Sequence, residues 1–172
     1  MYKLSKQSRR IILDRIKDEM TASYNYRYLK QFCIENGFND ARKFFHEEEE
    51  DEMRHADKLT NYLLKTRGDK GEDLPPLEQT EESCDKLSDT IKIALKMEED
   101  LAKKYEADIV ETFNAGDVMT SDFLRDMLRI QFCEVTEYTE KAKIVEQMKG
   151  EENEIEVEKA LFANNNEKIS IN

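Results

Sequence analysis

The chain has 172 residues, of which 38% are charged, and it contains only five Gly and two Pro. This composition favours helix over sheet and provides enough chain for one domain with a core. The formal net charge of −12 argues against nucleic acid as a partner, because phosphate binding needs clustered Lys and Arg. No apolar run approaches the roughly 20 residues of a membrane span. The N-terminus carries no apolar signal core, so we expect a cytoplasmic protein with reduced thiols at Cys33, Cys84 and Cys133.

The sequence predicts an all-α protein with four long helices. Gly37 and Gly116 fall at two short breaks, where a left-handed residue can end a helix. Between the second and third helices lies the loop "GDKGEDLPPLEQ". Its roughly 15 residues can stretch to about 50 Å, enough to run back along a 28-residue helix of about 42 Å. An up-down bundle with a loose middle loop is the alternative. The predicted helices run from Ser5 to Asn36, Asn39 to Arg67, about Glu81 to Asn114, and about Thr120 to Lys149.

The chain divides into a four-helix region and a C-terminal segment. We assign residues 1–149 to the bundle and residues 150–172 to a C-terminal segment. In this segment "EIEVEKALFA" is compatible with a short fifth helix, and the polar end "NNNEKISIN" is expected to be loose.

The two halves of the chain are related by a shift of 79 residues. Glu19 and Glu98 each precede a glycine by 18 positions, and Glu52 and Gln131 each follow that glycine by 15. Because glycine is rare here, two glycines in register make chance a poor explanation. The same shift pairs Tyr26 with Tyr105, Ile12 with Ile91, Phe45 with Leu124 and Leu59 with Tyr138.

Each repeated polar residue lies on an apolar stripe with the i, i+3, i+4, i+7 spacing of a core-facing helix. Buried carboxylates cost several kcal/mol each unless they are neutralised, and Lys and Arg are scarce on these stripes. Two divalent cations would balance four glutamates, and oxygen donors with an imidazole suit iron or manganese better than zinc. The candidate ligands are Glu19, Glu52, His55, Glu98, Gln131 and Glu134.

The stretches "EMTASYNY" and "EDEMRHADKL" resemble the ferritin and bacterioferritin family, and the resemblance covers residues 8–148. "DEMRHAD" is most similar to a bacterioferritin, whereas Gln131-x-x-Glu134 is more similar to a ferritin. The resemblance implies a ferritin-like four-helix bundle with a long crossover between helices 2 and 3. It also implies an iron-storage ferroxidase that oxidises Fe(II) with dioxygen or peroxide at a di-iron centre. The ferric product would be deposited in a homo-oligomeric cage, with twenty-four subunits favoured over twelve.

The resemblance also implies roles for the individual residues. Glu19, Glu52, His55 and Glu98 would be the ligands, with Gln131 beside the second iron. Glu134 would ligate that iron or belong to an accessory site, and Tyr26 would be the tyrosine beside the centre. One histidine and one glutamine predict a loosely held second iron, which favours iron in transit over a permanent cofactor. The predicted catalytic set is therefore Glu19, Tyr26, Glu52, His55, Glu98 and Gln131.

Several simpler interpretations remain open. Tyr26 and Tyr105 can be core tyrosines with satisfied hydroxyls, and Glu47–Glu50 fits a mainly solvated helix face. Met53 follows Glu52, where bacterioferritins place a haem ligand, but an adaptable apolar side chain also explains it. For the whole chain, the alternatives are a rubrerythrin-type di-iron oxidase or peroxidase without mineral storage and a metal-free structural bundle. No CxxC pair of the rubredoxin type is present.

Overall fold

The computed structural model describes residues 3–66 and 76–163, which are almost entirely helical. The predicted helix end at Arg67, the first part of the middle loop and the polar tail lie outside these residues. The all-α prediction is confirmed, and the segment after residue 150 does contain a short helix. The helices are α1 (Lys6–Glu35), α2 (Asn39–Lys65), α3 (Leu87–Asn114), α4 (Val118–Gln147) and α5 (Glu154–Phe162).

The two predicted glycine breaks are confirmed as the turns of two helical hairpins. Gly37 has φ 76° and Gly116 has φ 78°, a conformation that side chains with a Cβ disfavour. After Gly116, the Asp117 side chain accepts a hydrogen bond of 3.0 Å from Thr120 N and caps α4. Helix α4 therefore begins at Val118, two residues before the predicted start at Thr120.

The middle of the chain crosses from one end of the bundle to the other. Leu4 N lies 3.5 Å from Thr66 O, so the end of α2 lies beside the start of α1. Leu87, the first residue of α3, instead packs in the same apolar cluster as Cys33 near the end of α1. Helices α2 and α3 therefore run parallel, and the predicted long crossover is required.

Helix α3 begins later than the sequence predicts, at Leu87 rather than near Glu81. The preceding segment lies along α1, where Thr80 N donates a hydrogen bond of 2.9 Å to Asn25 Oδ1. The Asp89 side chain accepts from Asp85 N at 3.1 Å and from Lys86 N at 3.0 Å, which caps the helix. A helix covers only 1.5 Å per residue, so an earlier start of α3 would leave the connection from α2 with fewer residues to span the bundle.

Helix α5 packs across the end of the bundle, and two of its glutamates accept hydrogen bonds from backbone amides at the N-termini of α2 and α3. Glu158 Oε1 accepts from Asp40 N at 2.8 Å and Ala41 N at 3.2 Å, in the first turn of α2. Glu154 Oε2 accepts from Leu87 N at 2.9 Å, at the start of α3. Carboxylates are favourable at both positions because the helix N-terminus carries partial positive charge. The boundary between residues 149 and 150 stays a prediction.

The apolar core is divided into two clusters. One includes Tyr26, Phe45 and Leu87 near α5, and the other includes Leu13, Leu59 and Leu124 towards the opposite end. Buried polar side chains from all four long helices lie between these clusters. Among the described helices, none is both long and apolar enough to cross a membrane.

Candidate metal centre

Four buried polar side chains, one from each long helix, occupy the layer between the two apolar clusters. Glu19 and Gln131 are 1% exposed, and Glu52 and Glu98 are fully buried. Each lies on the inward stripe that the sequence predicted. Helix geometry therefore delivers three carboxylates and an amide to one interior, where water cannot solvate them.

The tightest constellation is formed by Glu19, Glu52 and His55. One ligand atom from each of these residues lies within 4.8 Å of the others. His55 Nδ1 is 3.3 Å from Glu52 Oε2 and 3.7 Å from Glu19 Oε2. Glu52 and His55 reach the same point because residues three apart share a helix face. These three residues can supply two carboxylates and an imidazole to a single cation.

Two carboxylate oxygens in this constellation are unsatisfied. Within the part of the chain that the structure describes, Glu19 Oε2 and Glu52 Oε1 are buried and have no hydrogen-bond partner. An unpaired buried acceptor costs about 1–3 kcal/mol, and more when the group is charged. A divalent cation between these oxygens would remove that cost, so the site has the chemistry expected of a metal site.

The burial of the carboxylates changes their protonation. Burial raises the pKa of Glu52 well above its usual range, and the charges of Glu98 and Glu19 raise it further. For Glu19, burial acts in the same direction, but His55 and other hydrogen-bonding neighbours outweigh it and lower the pKa. Without a cation, burial therefore favours the protonated form of Glu52, whereas the neighbours of Glu19 favour its ionised form.

Glu98 has a different environment from Glu19. Tyr26 OH donates a hydrogen bond to Glu98 Oε1, and Gln131 Nε2 donates to Glu98 Oε2. Gln131 Nε2 also lies 3.1 Å from the Glu98 carbonyl oxygen. Burial raises the pKa of Glu98 to about 7, although the hydrogen bonds from Tyr26 and Gln131 oppose this effect. Protein donors therefore already occupy both oxygens of Glu98.

Glu134 lies at the margin of the centre. Its side chain is half-buried, and it is not part of the close group of Glu19, Glu52 and His55. Burial raises its pKa well above the usual range, and the charges of Glu48 and Glu98 add to this effect. Its assignment as a ligand or an accessory group stays a prediction.

The structure brings three further residues to this layer. Tyr105 is fully buried and its hydroxyl donates to Glu19 Oε1. Glu48 is 1% exposed, and its Oε2 accepts from Tyr138 OH at 3.2 Å. The 79-residue shift had already paired Tyr105 with Tyr26, which was the signal for its role. The run Glu47–Glu50 was predicted to be a mainly solvated face, but Glu48 lies four residues before Glu52 and shares its buried face.

Three comparisons place this geometry among known proteins. A family model described as "Ferritin-like domain" matches residues 11–148. The bacterial non-heme ferritin of Campylobacter jejuni is 27% identical over 122 residues, covering 71% of this chain and 72% of that protein. An open pore ferritin from the archaeon Archaeoglobus fulgidus has a similar fold, with a TM-score of 0.84 and 16% identity. That alignment covers 94% of this chain and 98% of the other.

Proposed function

The chain belongs to the ferritin-like domain family, and from this premise we propose that it is an iron-storage ferroxidase. Each subunit would bind two Fe(II) ions at the Glu19–Glu52–Glu98 layer, oxidise them with dioxygen and release ferric iron for storage as mineral. The iron is substrate and cargo in this scheme. The 27% identity to a bacterial non-heme ferritin supports an iron-related role.

The observation that carries the proposal is the pair of unpartnered oxygens beside His55. Within residues 3–66 and 76–163, Glu19 Oε2 and Glu52 Oε1 have no hydrogen-bond donor, and ligand atoms of Glu19, Glu52 and His55 lie within 4.8 Å of one another. A purely structural core would not retain such groups without compensation, because each costs free energy. Oxygen ligands with one imidazole match the preference of Fe(II).

The residues would divide the work between two iron positions. Glu19 and His55 would hold the first Fe(II), Glu52 would serve both positions, and Glu98 would hold the second beside Gln131. Cations bind ionised carboxylates, and burial raises the pKa of both Glu52 and Glu98, so loading is expected to become more favourable as pH rises. The two Fe(II) ions give one electron each to dioxygen, which takes up two protons and leaves as hydrogen peroxide.

The second position is expected to be the weaker one. Gln131 is a neutral amide, and Glu98 has to exchange the hydrogen bonds from Tyr26 and Gln131 before it can bind a cation. Cation binding by Glu98 would therefore change the hydrogen bond that Tyr26 donates to it. A weak second position favours passage of iron over its permanent retention, and haem plays no part in this scheme.

A cage of identical subunits is the proposed assembly, with twenty-four subunits favoured over twelve. The α3–α4 hairpin exposes Val110, Phe113, Val118 and Met119, each more than half accessible in the isolated subunit. Contact with a second copy would remove these side chains from water. We place the protein in the cytoplasm, where its three cysteines would stay reduced.

Anaerobic loading with Fe(II), followed by admission of air, tests the proposal. Wild-type protein should oxidise Fe(II) far faster than buffer, whereas Glu52→Ala should lose most of the acceleration. Glu99→Ala is the matched control, because Glu99 is an exposed glutamate of the same bundle. Equal rates for wild type and Glu52→Ala would contradict the catalytic role.

Native mass spectrometry after iron loading separates storage from the rubrerythrin-type alternative. A storage protein should give a closed assembly that takes up many iron ions per subunit. A small oligomer that retains about two irons per subunit would favour the di-iron oxidase or peroxidase instead.

A further inference from the structure

Tyr105 of α3 is a fully buried group that the proposed reaction leaves without a role. Its hydroxyl donates a hydrogen bond to Glu19 Oε1 on α1. Tyr26 of α1 donates in the same way to Glu98 Oε1 on α3. Each tyrosine therefore holds the glutamate that belongs to the opposite half of the chain, and the two bonds cross between α1 and α3.

The bond from Tyr105 leaves Glu19 with one oxygen for other ligands. Oε1 accepts from Tyr105, whereas Oε2 has no hydrogen-bond partner in the described chain and lies 3.7 Å from His55 Nδ1. The terminal torsion of a glutamate is soft, so an unrestrained carboxylate would rotate. A donor on one oxygen removes that freedom and aims the other oxygen at His55 and Glu52.

The second half of the repeat shows why this arrangement is not symmetrical. Gln131 donates to Glu98 Oε2, so both oxygens of Glu98 are occupied. The counterpart of Gln131 in the first half is Glu52, a carboxyl group rather than an amide, and its Oε1 has no hydrogen-bond partner within the described residues. Of the two glutamates that accept from a tyrosine, Glu19 therefore keeps one oxygen available, whereas Glu98 does not.

We infer that Tyr105 is a positioning residue that prepares Glu19 to bind the first divalent cation through Oε2. This inference deepens the proposed function and rests on it, because it concerns the same centre. The hydroxyl touches no cation; it acts by orienting the carboxylate that does. Partners of metal ligands of this kind typically contribute about 10–100-fold to metal affinity.

Anaerobic titration calorimetry with Co²⁺, at fixed pH and protein concentration, tests the inference. Tyr105→Phe should weaken the first equivalent of Co²⁺ by about 10-fold or more. Tyr138→Phe is the matched control, because it removes another fully buried hydroxyl that donates to a buried carboxylate, that of Glu48. Its first equivalent should bind as in wild type.

The outcomes separate positioning from a general loss of stability. Wild-type affinity for the first equivalent in Tyr105→Phe would overturn the inference, and so would an equal loss in Tyr105→Phe and Tyr138→Phe. Thermal unfolding of the metal-free variants shows whether both remain folded, and circular dichroism compares their helix content. If wild type binds Co²⁺ but does not accelerate Fe(II) oxidation, the ferroxidase proposal fails while the affinity comparison still decides the role of Tyr105. A wild-type chain that takes up no Co²⁺ would overturn both.

Discussion

Replacing Glu98 by glutamine should flatten the pH dependence of stability in the metal-free protein. Glu98 is fully buried, and burial raises its pKa from the usual 4.5 to about 7. In the unfolded chain the same group regains its ordinary pKa. Between these two values the folded protein holds a proton that the unfolded chain has lost, so rising pH favours unfolding.

The magnitude follows from the two pKa values. The difference between 4.5 and about 7 corresponds to about 3 kcal/mol, at 1.36 kcal/mol per pH unit. This stability is fully present below pH 4.5, declines as pH rises, and is lost above about pH 7. Glu98→Gln cannot ionise, so the variant should lose about 3 kcal/mol less than wild type between pH 4.5 and 7.5. The amide oxygen of the new side chain can still accept from Tyr26.

Urea unfolding followed by circular dichroism measures this effect. Chelator keeps the protein free of metal, and a fixed protomer concentration prevents assembly from shifting the curves. Glu99→Gln is the control, because it changes the exposed neighbouring residue and should follow the wild-type pH dependence. Parallel curves for wild type and Glu98→Gln would show that Glu98 is not protonated in the folded state, and would refute the reasoning.

Three further predictions test the structure around the centre. Glu158→Ala should cost about 1 kcal/mol in urea unfolding, because it removes the acceptor for Asp40 N and Ala41 N; an equal loss in Glu156→Ala, on the exposed face of α5, would argue against capping. Burial raises the pKa of Cys33 to about 12 and of Cys84 to about 11, so both thiols should react with iodoacetamide much more slowly in the native protein than in urea. Fast native alkylation would disprove their burial as thiols. Gly116→Ala should lower the free energy of unfolding by about 1 kcal/mol, since Gly116 has φ 78°; wild-type stability in thermal melts would contradict this.

The sequence was sufficient for the parts of the fold that local chemistry determines. Gly37 and Gly116 mark both hairpin turns, and the apolar stripes identify the buried faces of α1 to α4. The start of α3 was wrong by about six residues, because "EESCDKL" has no local feature that forbids helix. Residues 76–86 are not helical, and two non-local features account for this: the distance that the connection must cover and the hydrogen bond from Thr80 to Asn25, 55 residues away.

The 79-residue shift predicted which polar side chains on the helical stripes are buried, but it was less informative about the residues that hydrogen-bond to them. The role of these side chains as metal ligands stays a prediction. Glu19, Glu52, Glu98 and Gln131 were found because each interrupts an apolar stripe and each has a partner in the other half. For Tyr105, a core tyrosine with a satisfied hydroxyl and a functional residue were both left open, since periodicity cannot reveal that the hydroxyl meets a carboxylate on another helix. Glu48 was lost in a run of four glutamates, where composition hides the one member that faces inward.

The position of α5 has a consequence for how the protein is made. Glu158 lies 118 residues after Asp40, whose backbone N–H it accepts, so the acceptor is synthesised long after the hairpin of α1 and α2. At roughly 5–20 residues per second, that interval lasts on the order of 10 s on the ribosome. During it, the first turn of α2 can satisfy its amides only with water. The α1–α2 hairpin is therefore translated first, but the first turn of α2 gains its cap only after residue 158 has been synthesised. A nascent chain stalled before that residue lacks the cap.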